Sequence, residues 1–308
     1  MPADLAARRV GARRADEPAD LAARKFEALR AELPRSSPRA WRFAALALAS
    51  RASTHLSEGT RIGHRHGFDS GAFMAHVYSN RARGHTALGR RLDRRLLNRA
   101  TCQAFRDIRG LAEAALDDAL QAAGPGPVVV ADLAAGPSPY LLHALTRRPD
   151  AVAVLCDIDD AALQQASAAA GELGVADRVA TRAASAFDRT ALARLQPRPD
   201  IVCELGLYGI YHDDELIERH FVDLAATVAP AQIVCNVQVA NPEIEYIARV
   251  WRNAEGGRCV WRLRPAQQIE GYARAAGYEP ASATTDRHGV YRVMRFVRSA
   301  SDEPQAAA

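Results

Sequence analysis

Residues Val128 to Tyr140 constrain the fold more than any other stretch of the chain. An apolar run, Val128-Val129-Val130-Ala131, ends in Asp132. Leu133-Ala134-Ala135-Gly136-Pro137-Ser138 follows, and a helical pattern opens at Pro139-Tyr140. A buried strand feeding a tight turn that opens a helix is the ligand-gripping corner of an open α/β sheet. Small residues suit that turn, because its backbone approaches a ligand and a larger side chain would stand in the way. After this stretch the chain alternates strand with helix. Before it, nearly everything reads as helix.

The alternation predicts strands at 128–133, Ala151–Asp157, Arg178–Arg182, Asp200–Leu205 and Gln232–Val237, with late strands at Arg258–Leu263 and Gly289–Val297. Helices are expected over 139–148, 160–173, 188–195, 213–228, from Pro242 onward and over 265–276. Near-continuous apolar strands alternating with helices mean a parallel sheet covered on both faces. The fold class is therefore α/β: a Rossmann-like doubly wound sheet with an N-terminal helical extension. Four units are expected: a flexible or helical arm at 1–38, a helical cap region at 39–126, a Rossmann-like domain at 127–298 and a disordered tail at 299–308. The seam falls at Gly124-Pro125-Gly126-Pro127. Within the cap, Ser57 to Gly71 carries four glycines, all in the thirteen residues from Gly59, and is expected to be an irregular lid-like loop. Asp69 or Ser70 would cap the helix after it.

The composition is ordinary for a globular protein, 48% apolar and 25% charged, and the net charge of +4 is spread among acids, which gives no reason to expect a nucleic acid partner. No run approaches the roughly 18 apolar residues of a membrane span. The start, Met1-Pro2-Ala3-Asp4, has no apolar core of a secretory signal, so a cytoplasmic location is expected. Five cysteines without a CxxC pair read as buried free thiols. His64, His66 and His76 have no partner at ligand spacing beyond Asp69, so no metal is expected. The helices of residues 1–55 could pair two copies as a homodimer.

The chemistry gathers at strand ends. Asp157 closes the second strand 25 positions after Asp132, where an acid can accept from ribose hydroxyls. The turn between them is not Gly-x-Gly-x-x-Gly, which argues against a pyrophosphate and for a smaller ligand. After the fourth strand, Glu204-Leu205-Gly206-Leu207-Tyr208-Gly209-Ile210-Tyr211-His212 sits where active sites of open sheets lie. After the fifth, Asn236, Gln238 and Asn241 offer amides for a ligand. Asn241-Pro242 is not the Asn-Pro-Pro-Tyr signature of nucleic-acid amino-group methylation.

These residues resemble a known family. Asp132–Ser138 looks like the first motif of class I S-adenosylmethionine (SAM)-dependent methyltransferases, Cys156-Asp157-Ile158-Asp159-Asp160 the second, and Ala184-Ser185-Ala186-Phe187-Asp188 the third. His66–Gly71, Tyr78 with Asn80, Asp93-Arg94, Leu97-Asn98, Phe105–Arg109, Gly206-Leu207-Tyr208 and Asn236-Val237-Gln238 extend the match over 57–298. They are similar to a bacterial family of class I methyltransferases that often sit behind an α/β-hydrolase domain. No Gly-x-Ser-x-Gly elbow is present in this chain.

The resemblance implies SAM as cofactor. Asp132 and the turn with Ala134, Gly136 and Ser138 would hold its methionine end. Asp157, with Ile158 beside it, would take the ribose, and Ser185 and Phe187 would bracket the adenine. Ser138 and Ser185 depart from the usual Gly and Asp. Glu204 or His212 could be a general base, and Tyr208 or Tyr211 could face the sulfonium. Asn236, Gln238, Asn241, Tyr78 and Asp69 would line the acceptor side. The implied activity is methyl transfer to a small-molecule or lipid acceptor in secondary metabolism. An alternative is a SAM-consuming enzyme of the azetidine-2-carboxylate type, with Tyr208, Tyr211, Asn236 and Gln238 as a cage that releases methylthioadenosine. Against a nicotinamide-dependent oxidoreductase stand the absent glycine and Pro137, and against a non-catalytic SAM-fold module the polar residues at the ends of the fourth and fifth strands.

Overall fold

A computed structural model describes residues 18–299. The first part of the expected arm and all but Ser299 of the expected tail lie outside the described residues. Five parallel strands form the centre: β1 (Val128–Asp132), β2 (Ala151–Asp157), β3 (Val179–Ala183), β4 (Ile201–Glu204) and β5 (Gln232–Gln238). β6 (Tyr278–Thr285) and β7 (Tyr291–Arg298) complete a sheet of order β3-β2-β1-β4-β5-β7-β6. β7 runs antiparallel to both neighbours, so the sheet is mixed rather than wholly parallel. The chain starts at β1, winds outward to β3, then returns to β4 on the other side. That reversal opens a crevice at the carboxyl ends of β1 and β4.

Six helices precede the sheet: α1 (Ala19–Arg30), α2 (Pro38–Ala52), α3 (Glu58–His66), α4 (Gly71–Ser79), α5 (Ala87–Leu97) and α6 (Ala100–Ala122). Six more accompany it: α7 (Pro139–Arg147), α8 (Asp160–Glu172), α9 (Arg189–Ala193), α10 (Asp214–Asp223), α11 (Ile244–Val250) and α12 (Ala266–Ala275). One hydrophobic cluster runs from Phe68, Phe73 and Leu97 through Leu116 to Val130, Leu141 and Val293, across the glycine-proline stretch at 124–127. A second, built on Leu133, Val154, Phe221, Ile269 and Phe296, fills the other face.

Two sequence expectations need correction. Ser57 to Gly71 is mainly helix α3, not an irregular loop. Ser57 caps it by accepting from the Thr60 N–H at 3.3 Å. Its glycines serve close packing: a Cβ at Gly63 would stand 2.4 Å from the Phe68 ring. Ser70, not Asp69, caps α4. The second correction concerns the late strands. Residues 258–263 form no strand, although Cys259, Trp261 and Leu263 are alternately buried. The segment crosses the strand ends instead, with the Arg262 N–H on the Gly209 carbonyl and the Arg264 N–H on that of Gln238, each at 3.0 Å. The true strand β6 was masked by Pro280, Ala281 and its mostly exposed face; Pro280 adjoins a break in register, as suits an edge strand.

Candidate active site

The first corner is built around Asp132. Fully buried at the end of β1, it accepts hydrogen bonds from Ser138 Oγ and Tyr140 OH, each at 2.6 Å. Burial drives its carboxyl up to about 6, against the pull of those donors. Asp132 thus props the turn from below. Ser138, in the left-handed region at φ 41°, is buried as well, which explains a residue other than Gly there: its hydroxyl is needed for Asp132. Ala134 is half-buried. Gly136, at φ 50°, has open space where a Cβ would stand, and its N–H donates to Asp157 Oδ2 at 2.7 Å.

That bond joins the two acids read from the sequence into one corner. Asp157 Oδ1 also accepts from the Asp159 N–H at 2.9 Å. Ile158 beside it is 70% exposed. The Ala184 N–H donates to the Asp157 carbonyl at 3.0 Å, which brings the third segment alongside. There Ser185 Oγ is engaged by the Phe187 N–H at 3.2 Å, and Phe187 meets the Tyr211 ring edge-on at 4.5 Å.

Beyond β4 the arrangement differs from the sequence reading. Glu204 is fully buried and receives Tyr208 OH on one oxygen and His220 Nε2 on the other. Sealed from solvent, with both carboxylate oxygens engaged, Glu204 shapes the loop rather than reaching into the crevice. Tyr208 is buried too, and burial drives its phenol well above the usual range. His220 had no local signal: it lies 16 residues from Glu204, on another element. Arg264 was missed as well. Fully buried, it donates to the carbonyls of Tyr208 and Tyr211, the latter at 2.8 Å, and to Asp214 Oδ1 at 2.8 Å. His212 is exposed, with Nε2 on the Val260 carbonyl at 2.7 Å, and partial burial lowers its pKa.

At the end of β5, Asn236 Oδ1 accepts from the Gly206 N–H at 2.7 Å and so links the β4 and β5 loops. Gln238 Nε2 donates to Tyr291 OH at 3.0 Å, while its buried Oε1 has no partner among the described residues. Asn241 Oδ1 accepts from the Glu243 N–H at 2.8 Å and from Thr101 Oγ1, and its Nδ2 is likewise unpartnered. Tyr78 is half-buried, and burial pushes its hydroxyl up to about 12. Asp69 is spent elsewhere: it accepts from the Ala254 N–H at 2.9 Å and pins the 253–257 turn. His64 and His76 are engaged by Ser50 and by buried Asp93.

A seven-stranded sheet of this order, with an acid closing each of β1 and β2 beneath a small-residue turn, defines a class I methyltransferase fold. The chain belongs to the family described as "Putative methyltransferase", whose model matches residues 5–298. It is 30% identical over 266 residues to the uncharacterized protein YnbC of Escherichia coli (strain K12), covering 84% of this chain and 45% of that protein's length. The chain thus spans less than half of that relative. Among solved structures it is similar to one described as a possible exported protein from Bordetella parapertussis, with TM-score 0.64, 17% identity and coverage of 92% and 98% of the two chains. It is also similar to the magnesium protoporphyrin IX methyltransferase ChlM from Synechocystis PCC 6803 with bound SAH, with TM-score 0.52, 15% identity and coverage of 76% and 98%. No helix among the described residues is long and apolar enough to cross a membrane.

Proposed function

We propose that this chain is a SAM-dependent methyltransferase acting on a small-molecule or lipid acceptor. The observation that carries this is the bond between the Gly136 N–H and Asp157, which gathers turn and acid at one mouth. The surroundings fit the cofactor. Positions beside Gly136 and Gly206 are open where a Cβ would stand. Ile158 offers an exposed apolar surface, and Gln238 and Asn241 keep buried polar atoms unpartnered. Asp157 would accept from the ribose hydroxyls, Phe187 and Ile158 would flank the adenine, and the Ala134–Ser138 backbone would carry the methionine end. Bound SAM supplies an activated methyl group. The protein's own task is then alignment and exclusion of water. The Gln238 side-chain oxygen Oε1 would take a hydrogen bond from the acceptor, near Tyr291 and Tyr78.

The cyclising alternative draws no support here, because Tyr208 of its cage is fully buried and held by Glu204. Membership of a methyltransferase family leaves the oxidoreductase reading without support. A cytoplasmic setting and a role in secondary metabolism belong to the same proposal; five free, buried cysteines support a reducing compartment. A place behind an α/β-hydrolase domain, which the resemblance implies, is part of the proposal too, and the unmatched part of YnbC leaves room for one.

Calorimetric titration with SAM tests the reading. Asp157→Ala should weaken binding by roughly tenfold to a hundredfold, the worth of lost hydrogen bonds to a charged group. Melting curves run alongside show whether the turn itself survives. Unchanged affinity would remove the ribose assignment. Methylthioadenosine released without any acceptor would overturn methyl transfer.

A further inference from the structure

Helix α2 turns an apolar stripe to solvent. Trp41 is 66% exposed and Leu48 70% exposed, and Ala44, Ala45, Ala49 and Ala52 are exposed between and beyond them. At 100° per residue these six positions share one face, while Phe43, Leu46, Ala47 and Ser50 share the opposite face toward the protein. Arg42 and Arg51 are exposed and border the stripe, one on each side. Among the described residues neither arginine is paired with a carboxylate, and α2 itself contains no acid. The indole N–H of Trp41 is already spent on the Arg35 carbonyl at 2.8 Å. The ring therefore presents apolar surface with no polar atom left to desolvate.

An apolar stripe carrying Trp and Leu between two arginines is the profile of a helix that lies in a lipid interface. A second copy of the chain fits less well, because pairing two α2 faces would gather four arginines with no carboxylate from either helix. Anionic headgroups complement them directly. We propose that α2 docks this protein peripherally on an anionic lipid surface, its Trp41–Leu48 stripe sunk at the headgroup level and Arg42 and Arg51 on phosphates. This goes beyond the methyltransferase reading and does not depend on it, since α2 would dock with or without SAM or an acceptor bound.

The test is flotation of the full chain with vesicles of phosphatidylcholine alone or doped with phosphatidylglycerol. Binding should appear with the anionic vesicles and weaken with salt. Trp251 and Trp261 are buried, so a blue shift of tryptophan emission on binding would report Trp41. Trp41→Ser with Leu48→Ser should reduce partitioning at least about tenfold. Arg42→Gln with Arg51→Gln should reduce it on the order of thirtyfold on anionic vesicles, as two surface charges are lost. These are exposed positions, so circular dichroism should be unchanged. No binding to anionic vesicles, or equal binding by the Trp41/Leu48 double variant, overturns the proposal. A solution dimer that this variant splits gives the face to a second copy and overturns it too.

Discussion

Asp132 holds a proton more tightly in the fold than in the unfolded chain, with a carboxyl pushed from 3.8 up to about 6 by burial. A raised carboxylate stabilises the fold below its unfolded pKa, and that contribution is lost as pH rises through the folded value. Asp132→Asn keeps an acceptor for Ser138 and Tyr140 but does not titrate. Wild type should therefore lose about 2 kcal/mol relative to this variant between pH 4 and pH 7, measured by denaturant unfolding across that range. Gly63→Ala tests the packing of a single residue. Its methyl would collide with the Phe68 ring at 2.4 Å, and overpacking of this kind costs about 1–3 kcal/mol. A melting temperature equal to wild type would show that the ring yields freely. Asp132 and Asp157 were legible in the sequence because each ends an apolar run. The Glu204–His220 pair was not, since only the packing of α10 beside β4 brings the two together.

Among elements, α1 is held by an arginine clamp. Arg249 donates to the carbonyls of Ala28 and Ala31 at 2.9 and 2.6 Å, and Arg258 to those of Leu29 and Arg30, the latter at 3.0 Å. These carbonyls end a helix and have no partner within it, and positive charge suits that end of the dipole. Phe26 is buried from the same helix and meets His212 edge-on at 4.6 Å. Arg258→Ala should speed amide exchange across residues 19–31 and lower stability by about 1 kcal/mol, with slower effects elsewhere. Uniform acceleration over the whole chain would contradict a local clamp. Central strands were legible because burial on both faces writes a continuous apolar run. The edge strand β6 carries no such run, and the 258–263 segment imitated one because it buries alternate side chains against other partners.

At the scale of the molecule, the helices before residue 124 and the sheet after it share one core. Trp251 stacks on Phe68 at 4.7 Å and meets Trp261 edge-on, so its emission reports the joint between them. Tryptophan emission and far-UV ellipticity should therefore change at the same denaturant concentration; separated midpoints would make cap and sheet independent units. The topology was legible at β1 to β5, whereas this joint was not, because a sequence shows no contact between Phe68 and Trp251. The buried guanidinium of Arg264 has a further meaning for a chain that is synthesised from one end. It holds the carbonyl of Tyr208, 56 residues upstream, and that of Tyr211. A nascent chain that has not yet exposed residue 264 outside the ribosome has nothing to close that loop, so the crevice at β4 is finished only after β5 and α11 have been made.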